Sequence, residues 1–180
     1  MQIFLIRHPR PYVEAGICYG QLDVDAEDPV PVANRLRALL PADIPLITSP
    51  LRRAQCLAAA LHPQPLADAR LMEIDFGEWE GRRWAEIDRV LLDAWAADVL
   101  NFTPPGGESA GALQTRAVAC VSALKGTAVA LVTHSGVMRA LLGHWLKLPV
   151  GEWSQLKFEF GHVTLLELSD GNATLRYMNR

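Results

Sequence analysis

The chain opens on Gln2-Ile3-Phe4-Leu5-Ile6 and stops abruptly at Arg7-His8-Pro9. An apolar run of this length, without polar alternation and closed by a proline, predicts a strand buried on both faces. Such a strand needs helices to cover it, so the remainder is read for helix–strand alternation.

That alternation follows. Residues 9–29 read as irregular, broken by Pro9, Pro11, Gly16, Gly20 and Pro29. Val32, Leu36 and Leu39 then recur at helical spacing over 30–40, and residues 45–48 give a second strand. Ser49-Pro50 predicts a helix start, with serine as the cap and proline at the first helical position. Leu51, Ala54, Leu57, Ala58 and Leu61 form the buried face of that helix. Trp84, Ile87, Leu91 and Trp95 predict another helix over 84–95. Residues 103–108 read as a loop, after which Ser109 caps a helix with Leu113, Ala117, Cys120, Val121 and Leu124 on one face. Residues 128–132 are a third strand, ending in Thr133-His134-Ser135-Gly136, and a helix with Val137, Leu141 and Trp145 follows. Leu156, Phe158 and Phe160 alternate, as do Val163, Leu165 and Tyr177 with their neighbours. Ser169-Asp170-Gly171-Asn172 between two such runs reads as a hairpin turn.

The expected fold is therefore α/β, a three-layer α/β/α sandwich whose mostly parallel central sheet has an antiparallel margin. At 180 residues the chain suits one domain. Residues 71–108 interrupt the alternation and read as a cap-like insertion over one end of the sheet. A net charge of -3 argues against nucleic-acid binding. No apolar run approaches the ~18 residues of a membrane span, and the early charges at Arg7 and His8 leave no room for a signal-peptide core. Cys18, Cys56 and Cys120 are odd in number and widely spaced, which suits neither a disulfide framework nor a zinc site. The expectation is a cytoplasmic protein without a metal or cofactor.

Three strand ends carry unusual polar residues: Arg7-His8, Thr48-Ser49 leading to Arg52-Arg53, and His134. In open α/β sheets, sites form at the carboxyl ends of strands. Two of these ends also lead into helix N-termini, which favour anions. Arginines in a first helical turn oppose the helix dipole, and a bound anion would offset that. Each piece has a plainer reading: a surface turn for Arg7-His8, a solvated face for Arg52-Arg53, a local cap for His134. Taken together they describe a pocket with two histidines and at least two arginines, suited to a phosphoryl group.

Ile6-Arg7-His8, the run from Thr48 through Pro50, Arg52 and Arg53 to Ala54, Glu73 within MEIDFGEWEG, and Val132-Thr133-His134-Ser135-Gly136 resemble the histidine phosphatase superfamily, the phosphoglycerate-mutase-like fold. The segment Gly16-Ile17-Cys18-Tyr19-Gly20-Gln21-Leu22-Asp23-Val24 resembles its α-ribazole phosphatase branch. The resemblance implies His8 as nucleophile, Arg7 and Arg53 as phosphate-binding arginines, His134 as the second phosphate-binding histidine and Glu73 as general acid. It selects Arg53 over Arg52 because the family's arginine directly precedes the alanine, and adjacent helical residues point ~100° apart. Asp75, Glu78 and Glu80 are alternatives to Glu73, with Glu78 and Glu80 read as structural or solvent-facing. Pro9 departs from the common Arg-His-Gly and forfeits a backbone N–H beside the nucleophile.

Trp79, Trp84 and Trp95 either pack the cap against the sheet or offer a surface to an aromatic substrate base. His62, His144 and His162 are read as structural. The implied activity is that of a metal-independent phosphatase acting on a small-molecule phosphate ester. α-Ribazole 5′-phosphate on the way to cobalamin is the specific expectation. The alternatives are a broad-specificity phosphatase, a sugar-phosphate mutase, a protein-phosphohistidine phosphatase and a catalytically silent phosphate-binding module. The C-terminal strands leave an edge suited to a homodimer, which the sequence does not decide.

Overall fold

The computed structural model describes residues 1–169 and 171–180, so Asp170 of the expected hairpin turn lies outside the described residues. In chain order the elements are β1 (Gln2–Arg7), α1 (Val30–Arg37), β2 (Leu46–Thr48), α2 (Arg52–Leu61), β3 (Leu66–Ala67), α3 (Arg89–Ala97), α4 (Ala110–Ser122), β4 (Ala128–Thr133), α5 (Ser135–Trp145), α6 (Val150–Trp153), β5 (Val163–Ser169) and β6 (Asn172–Tyr177). Short 3₁₀ turns stand at Ala69–Leu71, Gly77–Trp79 and Trp84–Glu86.

The six strands form one sheet in the order β3-β2-β4-β1-β5-β6. β1 pairs parallel with β4 and antiparallel with β5, β2 pairs parallel with both β4 and β3, and β5 and β6 make the antiparallel margin. The continuous apolar run of β1 is explained by its two covered faces. Ile3 and Leu5 pack toward α4 and α5 with Leu113, Ala117, Leu131 and Leu141. Phe4 and Ile6 pack toward α1 and α2 with Leu36, Ala54, Leu57 and Val132. All four β1 side chains are buried, each stabilising the fold by about 1.5–3 kcal/mol relative to exposure. Register brings the strand ends level. Arg7 lies opposite Thr133, and Thr48 opposite Val132. His8, Ser49 and His134 therefore emerge side by side at one edge.

Several local expectations are corrected. The second helix starts at Arg52 with Leu51 as its N-cap, not at Ser49-Pro50. Ser49 Oγ is engaged elsewhere, 2.7 Å from His134 Nε2. The helix expected over 84–95 breaks into a 3₁₀ turn and α3, because Asp88 is the N-cap and its Oδ1 accepts from Val90 and Leu91 N–H. Residues 156–160 are not a strand: their polar backbone is drawn into side-chain contacts, with the Phe158 carbonyl accepting from Arg7 Nη1 at 2.6 Å. β3 and α6 had no signal in the sequence reading. Ser109 does cap α4, its Oγ accepting from Ala112 N–H at 3.2 Å.

Trp79, Trp84 and Trp95 pack on one another and on Phe76, with ring centroids 5.1–6.5 Å apart. They make a small core of their own with Cys18 and Ile87. The packing expected against the sheet is thus replaced by a separate cluster that residues 76–102 form with Cys18.

Candidate active site

His8 and His134 follow neighbouring parallel strands, and their ring centroids are 5.0 Å apart. His8 is buried, and its Nδ1 lies 2.6 Å from the Pro9 carbonyl. A carbonyl only accepts, so Nδ1 carries the proton and Nε2 keeps its lone pair. The proline that removes an N–H supplies the carbonyl that sets the tautomer. Burial, followed by the charges of Arg53 and Arg7, holds His8 well below the ordinary 6.5, against the opposing effect of the Pro9 carbonyl. His134 is lowered in the same direction, first by burial and then by His8 and the nearby guanidinium groups. Both imidazoles are neutral near pH 7, and a neutral imidazole is the nucleophilic form.

Arg53 is fully buried in the first turn of α2, with Nη1 donating to the Leu22 carbonyl at 2.7 Å and Nη2 to the Gly20 carbonyl at 2.5 Å. Arg52, one residue earlier, is exposed and pairs with Asp23 and Asp25 at 3.2 and 2.9 Å. Arg7 lies with its guanidinium carbon 3.6 Å from the centre of the Phe160 ring. Partial burial at Arg7 and full burial at Arg53 lower both from their ordinary value, yet an arginine stays charged. Among the described residues, five buried side-chain atoms lack a hydrogen-bond partner: Arg7 Nε, Arg53 Nε and His134 Nδ1 at the site, together with Trp95 Nε1 and Thr164 Oγ1. An unpaired buried polar group costs about 1–3 kcal/mol. The two arginine Nε–H groups are donors that an oxyanion-rich ligand beside His8 would satisfy, as would His134 Nδ1 in its protonated tautomer.

Glu73 stands at the start of α5, where Oε2 accepts from Gly136 N–H at 3.1 Å and Oε1 from Ile74 N–H at 3.0 Å. Of the other carboxylates considered, Glu80 is structural: Oε1 accepts from Gln21 and Phe76 N–H at 2.7 and 3.0 Å. Asp75 accepts from Gly77 N–H at 2.8 Å. Beside Glu73 opens a cavity of about 590 Å³. Its walls are mostly apolar and include Phe76, Trp84, Trp95, Val99, Leu113 and Trp153, with Tyr19, Ser135 and Arg139 as polar members. Among the described residues, no group of three or more His, Cys, Asp and Glu gathers as a metal-ligand set, and no helix is long and apolar enough to cross a membrane.

A sequence profile of the histidine phosphatase superfamily (branch 1) matches residues 3–180. The chain belongs to the histidine phosphatase superfamily. It is similar to the glucosyl-3-phosphoglycerate phosphatase of Mycolicibacterium vanbaalenii, with 33% identity covering 86% of this chain and 78% of that one. It is also similar to the adenosylcobalamin/α-ribazole phosphatase of Salmonella typhimurium, with 28% identity over 99% of this chain and 96% of the other. The solved structure of a mycobacterial glucosyl-3-phosphoglycerate phosphatase superposes with a TM-score of 0.86 at 27% identity, covering 99% of this chain and 98% of that one. The α-ribazole phosphatase of Shigella flexneri shares the fold, with a TM-score of 0.85 at 24% identity over 100% and 96% of the two chains. This histidine phosphatase is thus a phosphatase on an α/β sandwich scaffold.

The sequence reading missed three groups around the site. The alternation of Phe158 and Phe160 predicts a strand, and the place of Phe160 under Arg7 depends on a loop that this alternation hides. Tyr19, whose ring lies 5.2 Å from the Arg53 guanidinium carbon, was noticed only within a longer matching segment. Arg139 falls one helical turn beyond Ser135-Gly136, off the apolar face of Val137, Leu141 and Trp145.

Proposed function

We propose that this histidine phosphatase hydrolyses a small-molecule phosphate monoester without a metal, through a phosphohistidine on His8, and that its substrate is α-ribazole 5′-phosphate in cobalamin assembly. The carrying observation is the set of buried unpaired polar atoms on Arg7, Arg53 and His134 around a neutral His8.

His8 Nε2 attacks phosphorus and forms the N–P bond as the bond to the ester oxygen breaks. Arg7, Arg53 and His134 stabilise the negative charge spread over the three remaining phosphoryl oxygens. Glu73 gives its proton to the departing alcohol oxygen. A water then loses a proton to Glu73 and attacks the phosphohistidine, which releases phosphate and restores His8. The carboxyl group acts as acid in one half and base in the other, so it ends in its starting form.

The cavity beside Glu73 would hold the alcohol half, with the segment 71–108 as the cap that closes it. Its aromatic wall suits a flat ring base attached to ribose, since indole and phenyl faces favour offset stacking. The similarity to an α-ribazole phosphatase across 99% of the chain supports the same reading. Arg139 favours a second reading. A guanidinium in a mostly apolar wall suits a carboxylate, as in glucosyl-3-phosphoglycerate, the substrate in the names of other similar proteins.

The deciding experiment measures phosphate release from α-ribazole 5′-phosphate, glucosyl-3-phosphoglycerate, 3-phosphoglycerate and p-nitrophenyl phosphate with EDTA present, for the natural chain and His8→Ala. Strong preference for the ribazole ester, lost in the variant, supports the proposal. Preference for glucosyl-3-phosphoglycerate selects the second reading. Similar low rates on all four overturn both narrow assignments, and no release overturns the hydrolase reading for small molecules.

A further inference from the structure

Arg116 lies on α4, and no step above uses it. Its guanidinium nevertheless spends all five donors. Nη1 donates to the carbonyls of Arg70 and Met72 at 2.8 and 2.7 Å. Nη2 donates to the Glu73 carbonyl at 2.9 Å and to Glu108 Oε1 at 2.5 Å, and Nε donates to Glu108 Oε2 at 3.0 Å. Glu108 is tied to the same strip of chain, since Oε1 accepts from Asp75 N–H at 3.1 Å and its own N–H donates to the Asp75 carbonyl at 2.9 Å. The two side chains are only 21% and 18% exposed.

A largely buried ion pair is weak evidence for stability, because apolar residues of similar volume often serve as well. What an apolar pair cannot do is gather three carbonyls of residues 70–73 onto one planar fork. Two of those carbonyls, of Met72 and Glu73, flank the α-carbon of Glu73, while the far end of its side chain is held separately by Gly136 N–H. The main chain of Glu73 is thus fixed from α4, and its carboxylate from α5.

We infer that Arg116, braced by Glu108, is a positioning residue for Glu73: it locks the main chain of residues 70–73 so that the carboxyl group meets the leaving oxygen. The inference rests on the proposed role of Glu73 as proton donor. It predicts a signature that a purely structural clamp lacks. An alkyl phosphate expels a poor leaving group and needs the proton, whereas p-nitrophenyl phosphate expels a stable phenolate and needs it much less. Misplacing the donor should therefore penalise the first ester selectively.

The test measures kcat/KM, which reports the steps up to alcohol release, on glycerol 3-phosphate and on p-nitrophenyl phosphate. The chains are the natural protein, Glu73→Gln, Arg116→Lys and Glu108→Gln, each with its thermal midpoint and its inhibition by inorganic phosphate. Lysine keeps the charge but loses the fork, and Glu108→Gln is the milder change that carries the test should Arg116→Lys not fold. The expected result is a loss on the alkyl ester of about tenfold to hundredfold in the clamp variants. Loss on the aryl ester should be much smaller, phosphate inhibition unchanged, and the bias in the same direction as in Glu73→Gln. Equal loss on both esters, or a lowered midpoint alone, overturns the inference while leaving Glu73 as donor intact. Absence of bias in Glu73→Gln itself overturns the donor assignment, and the inference falls with it.

Discussion

Replacing Gly136 by alanine should separate activity from stability. A Cβ on Gly136 would stand 2.2 Å from Glu73 Oε1 and 3.0 Å from its Cδ. The carboxylate oxygen must retreat by about 1 Å to regain an ordinary contact distance. The intruding atom meets only the end of a flexible side chain, so the fold can yield without moving backbone. Gly136 lies in α5 and adopts none of the positive-φ conformations that alanine resists. In a helix interior, alanine is favoured over glycine by about 0.8–1.0 kcal/mol, and a first-turn position gains no more than that. The thermal midpoint should therefore hold or rise slightly. Activity should move the other way, because a misplacement of ~1 Å at a reacting group can cost about 100-fold. The assay is kcat/KM on the preferred alkyl phosphate beside differential scanning calorimetry. Unchanged kcat/KM with a fully folded variant would refute the reasoning, since Glu73 would then be catalytically idle in its observed place. A lowered midpoint would refute the claim that the clash is absorbed by the side chain.

The remaining predictions concern the phosphate cluster, pH and the α5–α6 contact. Arg53→Met should lower kcat/KM by on the order of 10³-fold and abolish inhibition by inorganic phosphate, through loss of a positioned cation. Arg52→Ala should stay within about twofold, since its exposed ion pairs contribute little. Steady-state kinetics on the two variants check the contrast, and equal effects would contradict it. His8 and His134 are held well below 6.5 in the fold, while in the unfolded chain they titrate near that value. Below about 6.5 the unfolded chain binds protons that the folded chain refuses, so stability falls with pH by up to about 1.4 kcal/mol per unit for each histidine. Thermal melts from pH 8 to pH 5 should show this loss, with a shallower slope in His134→Asn, and an identical slope would count against it. Gly143→Ala should destabilise, because its Cβ would lie 2.2 Å from the Trp153 indole nitrogen, within a buried ring. Overpacking of this kind costs about 1–3 kcal/mol, measurable by urea unfolding.

The central architecture was legible because β1, β4 and their helices obey simple periodicities. A strand covered on both faces must be apolar throughout, and 128–132 shows this as plainly as 2–6. The candidate site was legible where it sits on those elements: His8, His134 and Arg53 each lie within two turns of a strand end. What escaped notice depends on loops whose conformation is set by distant side chains. Phe158 and Phe160 alternate like a strand, yet Arg7 and β1 capture that segment, with Gly161 N–H donating to the Arg7 and His8 carbonyls at 3.0 and 3.1 Å. Ser49 looks like a helix cap, but its hydroxyl meets His134, 85 residues away in sequence. Asp88 divides a helix whose apolar spacing alone runs unbroken from Trp84 to Trp95. For Phe160 and Ser49 a local pattern is outweighed by a partner remote in the chain, and for the helix over 84–95 by a cap only two and three residues away.

The strand order has a consequence for how activity can be lost. His8 follows β1, Ser49 and Arg53 follow β2, and His134 follows β4, which in space lies between those two strands. The chain must complete an excursion of more than a hundred residues before β4 fills the gap that brings both histidines together. No contiguous fragment short of β4 can hold the cluster, and none beginning after β1 can either. In a denaturant titration, turnover should therefore vanish no later than the central sheet melts.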